Sequence, residues 1–199
     1  MKFRLKSQSA QMQPANLRTT SPFFCRENMV RVLEPAPKFK LKSTQGEIDL
    51  SKKISADGSG KWIVLFFYSG DFTSVCGTEV PEFARRLVDF RELNAEVLGV
   101  SADSIYSHEA WLKELQPKVE YPLLSDFKKE VCRAYDILDE NSGEPLRGTF
   151  IIDPKGRIRF KMIIDPDLGQ NVNEILRVLG GLQTGRPCPV NWTPGHATL

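Results

Sequence analysis

An unbroken apolar run, Trp62-Ile63-Val64-Leu65-Phe66-Phe67, stands out from the mixed text around it. It is short and rich in β-branched and aromatic residues, so it predicts a core strand. A polar turn follows, and from Cys76 the period changes. Val80, Phe83, Ala84, Leu87 and Phe90 or Leu93 recur at helical spacing, which predicts an amphipathic helix. Pro81 fits such a helix only in its first turn, placing the start near Cys76 or Gly77. Glu96–Ser101 predicts a second core strand. Ser107 is the expected N-cap of a helix over His108–Leu115. A short strand over Pro122–Asp126 and a helix across Lys128–Tyr135 come next. Phe150–Ile164 reads as a hairpin folded at Asp153-Pro154-Lys155-Gly156. Val172–Leu182 predicts the last helix, stopped near Gly180 and Gly181.

Ahead of the first strand, Leu33–Leu41 is expected to be extended, because each proline turns its predecessor away from helix. Gln45-Gly46-Glu47 is a turn, and Ile48-Asp49-Leu50 leads into a polar loop over Ser55–Lys61. Strands alternating with helices, then a hairpin and a final helix, give an α/β fold with a mixed central sheet flanked by helices. There are no internal repeats.

The chain has 199 residues, 41% of them hydrophobic and 26% charged, which suits one domain with a sizeable core plus tails. A net charge of +2 implies no nucleic-acid partner. No apolar run is long enough to predict a membrane span. Four cysteines occur, Cys25, Cys76, Cys132 and Cys188, none in Cys-x-x-Cys spacing. With only His108 and His196 besides, no zinc site and no other metal or cofactor site is expected. This is not a cysteine-dense secreted framework. A cytoplasmic protein with one or two redox-active thiols fits better. Residues 1–28 are basic, rich in hydroxyl and amide side chains, and lack an apolar signal core. They read as a disordered tail or an extended translation start ahead of Met29. An organelle transit peptide is the sharper alternative.

The chemistry concentrates at Cys76. A thiol at a helix N-terminus meets unpaired backbone N–H groups and the positive end of the helix dipole. Both favour the thiolate, which is the nucleophile. The segment Phe66-Phe67-Tyr68-Ser69-Gly70-Asp71-Phe72-Thr73-Ser74-Val75-Cys76-Gly77-Thr78-Glu79 resembles the active-site signature of the peroxiredoxins, Pro-x-x-x-Thr/Ser-x-x-Cys. These are thiol peroxidases with a thioredoxin-like fold, and the resemblance covers the chain from about residue 30 onward. It implies that Cys76 attacks a hydroperoxide and that Thr73 hydrogen-bonds the sulfur or the peroxide. Leu146–Asp153 resembles the family's Arg-Gly-x-Phe-Ile-Ile-Asp segment, which makes Arg147 the cation facing the cysteine. Glu174–Leu179 resembles the helix carrying a second arginine, here Arg177. Glu79 stands where a carboxylate helps to hold the arginines.

Gly185-Arg186-Pro187-Cys188-Pro189-Val190-Asn191-Trp192-Thr193-Pro194-Gly195 is similar to the family's C-terminal segment carrying the resolving cysteine. In the typical two-cysteine class that disulfide is intersubunit, and the homodimer is often built into a decameric ring. The resemblance implies a domain over residues 29–183 and a tail over 184–199 that carries Cys188. The expected reductant is thioredoxin, with a flavoprotein disulfide reductase as the bacterial alternative. Cys25 and Cys132 are expected to be a passenger thiol and a small core residue.

Three departures from the family pattern matter. Ser69 replaces a proline, and Gly77 replaces another after the cysteine. Both should loosen the loop and the first helical turn. The stretch Trp111–Pro122 lacks the Gly-Gly-Leu-Gly insertion of easily over-oxidised members, and no further helix follows the tail. Resistance to over-oxidation is therefore expected, because local unfolding lets Cys188 capture the sulfenic acid early. Three other readings stand beside the two-cysteine enzyme. They are a one-cysteine peroxidase, a non-catalytic redox relay or holdase, and a thioredoxin-like oxidoreductase. The absence of Cys-x-x-Cys argues against the last.

Overall fold

The computed structural model describes residues 30–199. Met29, Cys25 and the tail expected over residues 1–28 lie outside the described residues. A seven-stranded mixed sheet has the order β2-β1-β5-β4-β3-β6-β7. The strands are β1 (Lys40–Ser43), β2 (Gly46–Asp49), β3 (Trp62–Phe67), β4 (Ala95–Ser101), β5 (Leu123–Ser125), β6 (Arg147–Ile152) and β7 (Ile158–Ile164). The helices are α1 (Cys76–Arg85), α2 (Leu87–Glu92), α3 (Ile105–Trp111), α4 (Glu130–Ala134) and α5 (Val172–Gln183). The fold is thioredoxin-like, as the apolar pattern and the resemblance implied.

The central strand shows why a continuous apolar run was needed. In β3, successive side chains leave opposite faces. Val64, Phe66 and Tyr68 join one core with α1, α2 and α5. Ile63, Leu65 and Phe67 join a second core with α4 and the start of the chain. Both faces are covered, so no polar residue is tolerated along the strand. Phe66 stacks on Phe83 of α1 at 4.1 Å, and Phe83 on Phe90 of α2 at 5.9 Å. These rings clamp the helix that begins with Cys76 onto the sheet.

β3 runs parallel to β4 and antiparallel to β6. Phe67, its last residue, pairs with Gly148. The end of β3, which feeds the Cys76 loop, therefore lies beside the start of β6, where Arg147 stands. Gly148 leaves room for Ile137 and β7 to pack against the start of β6. A Cβ there would lie 2.6 Å from Ile137 Cδ1 and 2.7 Å from the Met162 carbonyl oxygen.

Several expected boundaries moved. The single helix expected after Cys76 breaks at Arg86 into α1 and α2. Pro81 lies inside α1 beyond its first turn, and its missing N–H leaves the Gly77 carbonyl without its usual helical donor. The cap of α3 is Ser104, whose hydroxyl accepts from the Ser107 N–H at 3.2 Å; Ser107 is inside the helix. α5 keeps its expected span to within one residue, ending at Gln183, and Trp192 and Cys188 lie against Gly181 in its last turns. The stretch before Ser55 forms a β1–β2 hairpin and a 3-10 turn, Leu50–Lys52. Its alternation is masked by exposed lysines.

Candidate active site

Cys76 is the first residue of α1 and is fully buried. Arg147 Nη1 donates to its Sγ at 3.1 Å and to Glu79 Oε2 at 2.6 Å. Arg147 Nε donates to the Pro166 carbonyl at 2.5 Å, which fixes the plane of the guanidinium. Glu79 lies one turn along α1 from Cys76, on the same face. Its other oxygen accepts from the Gln170 backbone N–H at 2.7 Å. The Gln170 side chain is pinned in turn. Its Nε2 donates to the Phe67 carbonyl at 3.2 Å, and its Oε1 accepts from Thr149 at 2.5 Å.

Burial works against the charge on Arg147. The hydrogen bond and charge of Cys76, then those of Glu79, outweigh it and hold the guanidinium above its ordinary range. Burial also pushes the Glu79 carboxyl up, and the Gln170 N–H and Arg147 offset this only in part. The site thus holds a buried cation against sulfur. Such a cation stabilises negative charge on sulfur and on an oxygen leaving nearby.

Of the residues expected from the sequence, the fold brings Cys76, Arg147 and Glu79 together. Thr73 is nearby in the chain, but its hydroxyl donates to the Gly70 carbonyl at 2.9 Å and not to the sulfur. A local bond to backbone competes successfully, as is common for threonine in turns. Arg177 does not reach Cys76. It pairs with Glu174 at 2.6 and 2.7 Å and donates to the Trp192 carbonyl at 2.8 Å, so it anchors the tail. Its place on α5 sets this, since three residues separate it from Glu174 and its face looks toward the C-terminal segment. Gln170 and Pro166 were missed, because each acts through its backbone or an amide that no motif marks.

Cys188 is half-buried, with Sγ 3.7 Å from Thr184 Oγ1 and 3.8 Å from the Gly181 carbonyl oxygen. It borders a cavity of about 490 Å³ lined by Arg159, Arg177, Arg186 and Trp192. Cys76, Cys132 and Cys188 are all free thiols. Cys132 is buried in the second core, and burial, then Asp126, pushes its thiol up. Ser69 has a buried hydroxyl with no partner, a loose end where the family carries a proline. Among the described residues, no cluster of His, Cys, Asp and Glu could hold a metal ion. No described helix is long and apolar enough to cross a membrane.

Residues 32–161 match the AhpC/TSA family. Peroxiredoxin 2 of Picrophilus torridus is 42% identical over 168 residues, covering 80% of this chain and 81% of that protein. The reduced 2-Cys peroxiredoxin of Plasmodium vivax superposes with a TM-score of 0.78 at 34% identity, covering 84% of this chain and 91% of that one. The yeast mitochondrial 1-Cys peroxiredoxin does so with 0.77 at 32% identity, covering 85% and 86%. With its thioredoxin-like sheet and a buried cysteine facing an arginine, the chain belongs to the AhpC/TSA family, the peroxiredoxins.

Proposed function

We propose that the protein reduces hydrogen peroxide and organic hydroperoxides through Cys76, and that Cys188 of a partner subunit resolves the product. The observation that carries the reading is the 3.1 Å bond from Arg147 to the Cys76 sulfur. The thiolate attacks one oxygen of R–O–O–H, and the O–O bond breaks. The departing RO⁻ takes a proton and leaves as the alcohol, or as water from hydrogen peroxide. Cys76 becomes a sulfenic acid. Arg147 holds the sulfur and lies where charge grows on the leaving oxygen, while Glu79 and Gln170 hold Arg147. Thr73 is a positioning residue for the loop, and Arg177 a positioning residue for the tail.

The Cys188 thiolate then attacks the Cys76 sulfur and forms a disulfide, and the hydroxide expelled takes a proton from solvent and leaves as water. A dithiol of the thioredoxin type, or a flavoprotein disulfide reductase, returns both thiols with two electrons and two protons. An intersubunit bond suits the geometry. Gln170, beside Glu79, precedes α5, whereas Cys188 lies against Gly181 near its other end. At 1.5 Å per residue the helix separates them by roughly 15 Å. Residues 29–183 would then be the catalytic domain, residues 184–199 the resolving tail, and the working unit a homodimer or a ring of dimers. A cytoplasmic setting would supply the thiol reductant that the cycle needs. A one-cysteine peroxidase, with Cys188 idle, is the second reading. It draws on the same separation of the two thiols, and the yeast neighbour shows the architecture serving a one-cysteine enzyme.

A non-reducing gel after one equivalent of hydrogen peroxide separates these. The two-cysteine reading expects wild type to move from 22.5 kDa to twice that mass, and neither Cys76→Ser nor Cys188→Ser to do so. A monomeric wild type with a sulfenic acid at Cys76 would support the one-cysteine reading. An unreactive Cys76 would overturn both.

A further inference from the structure

A second buried polar cluster lies in the loop that leads to Cys76, and no step of the peroxide chemistry uses it. The Tyr68 hydroxyl donates to Asp71 Oδ1 at 2.9 Å. Asp71 Oδ2 lies 2.9 Å from His108 Nδ1, and His108 Nε2 lies 3.2 Å from the Leu124 carbonyl oxygen. The His108 and Asp71 side chains are 0% and 1% exposed. The Tyr68 hydroxyl also lies 3.3 Å from His108 Nδ1, so the three side chains close on one another. Asp71 N–H donates to Asp103 Oδ2 at 2.9 Å, and Ser101 holds that same oxygen at 2.7 Å. Asp71 is therefore tied at its side chain to α3 and at its backbone to the end of β4.

The next residue is strained. Phe72 has φ +58°, the left-handed region, where a bulky side chain is seldom found. Such a conformation persists only where the surroundings over-determine it. Here they do so on both sides. Asp71 is fixed by the buried cluster, and the Phe72 ring meets Trp111 of α3 at 6.1 Å. Without the cluster the strain would release into the segment between Phe72 and Cys76.

We propose that Tyr68, Asp71 and His108 form a latch on the loop ahead of Cys76, and that the latch sets how often Cys76 leaves its buried position. They are positioning residues and touch neither the sulfur nor the peroxide. The inference rests on the reading above in one respect: an opened Cys76 is the form that a second thiol meets. Loosening the latch should slow the first step and favour the second. Removing one member of this buried, hydrogen-bonded pair leaves the other's polar atoms unsatisfied, so the opening should be large.

The test is alkylation of the native, reduced protein by N-ethylmaleimide, read residue by residue by peptide mass spectrometry. Cys132 is the internal reference, since it is equally buried but sits in the other core. Asp71→Asn and His108→Gln should raise the Cys76 rate on the order of tenfold to a hundredfold, with Cys132 unchanged. His108→Asn places an amide where Nδ1 was and keeps the Asp71 bond, so it should restore most of the protection. Tyr68→Phe, which removes one hydroxyl from an intact core, should give a smaller rise and guards against misfolding of the others. Equal increases at Cys76 and Cys132 would overturn the latch in favour of a plain stability effect. So would an unchanged Cys76 rate, or failure of His108→Asn to differ from His108→Gln. Because this readout needs no peroxide, a Cys76 inert toward peroxide would sink the proposed reaction without touching the latch result.

Discussion

Two cysteines of this chain, Cys76 and Cys132, are both fully buried and both stand in the first turn of a helix. Each lies near a helix N-terminus in the structure, and burial is the same. They differ in the charge they face. Cys76 has the Arg147 guanidinium at 3.1 Å. Cys132 has Asp126, whose carboxylate accepts from the Cys132 N–H at 2.7 Å. Burial, then that carboxylate, pushes the Cys132 thiol up and keeps it protonated. We propose that, with burial common to both, the sign of the neighbouring charge separates the two thiols.

The comparison can be broken at either cysteine. The largest effect is expected from Cys76→Ser, which should reduce peroxide consumption with dithiothreitol as reductant to background. Cys132→Ser should leave it within about twofold, as a small core residue exchanged for a similar one.

Next comes Arg147→Met, which removes the cation and strands Glu79. Stopped-flow oxidation of Cys76 should slow by about 10² to 10³, the usual cost of losing one fixed charge-stabilising donor. Urea unfolding should show a loss of about 3–5 kcal/mol, because a buried carboxylate is left unpaired. A variant that keeps its rate while losing stability would separate Arg147 from the chemistry.

A smaller effect tests the other side. Asp126→Asn removes the charge near Cys132 but not the burial, which is the larger cause of its raised thiol. Alkylation of Cys132 at pH 8 to 9 should rise by less than about tenfold, well short of Cys76. A rise to the Cys76 rate would mean that Asp126 alone silences Cys132.

The smallest effect concerns Glu79. Burial holds its native carboxyl above the ordinary value of 4.5, so folding favours its neutral form. That contribution to stability is present below pH 4.5 and is lost as pH rises through the raised native value. Glu79→Gln should flatten this part of the urea midpoint against pH. An unchanged profile would mean that another group carries it.

The sequence made the core legible wherever one period ruled. β3 and β4 are apolar on both faces, and α1 and α5 show a single apolar stripe. It failed where tertiary packing overrode a local signal. The stacked rings of Phe83 and Phe90 hold two short helices where one long one was expected. At the site, Cys76, Arg147 and Glu79 were readable because a motif marks each. The contacts of Arg177 with Glu174 and the Trp192 carbonyl were not legible, because a sequence marks its helix but not the face it presents. Gln170 and the Asp71–His108 pair carry no motif at all. They matter through backbone groups and burial, which appear only when β3, β6 and α3 converge.

The measurement that bears most directly on Cys76 and Cys132 is dimedone trapping after one equivalent of hydrogen peroxide. It should be done in a Cys188→Ser background, with and without Arg147→Met, and read by peptide mass spectrometry. Dimedone should label Cys76 and leave Cys132 unmodified, with the Cys76 label falling at least tenfold at short times when Arg147 is lost. A labelled Cys132, or a Cys76 label that forms equally fast without Arg147, would contradict the view that the neighbouring charge decides which buried thiol reacts.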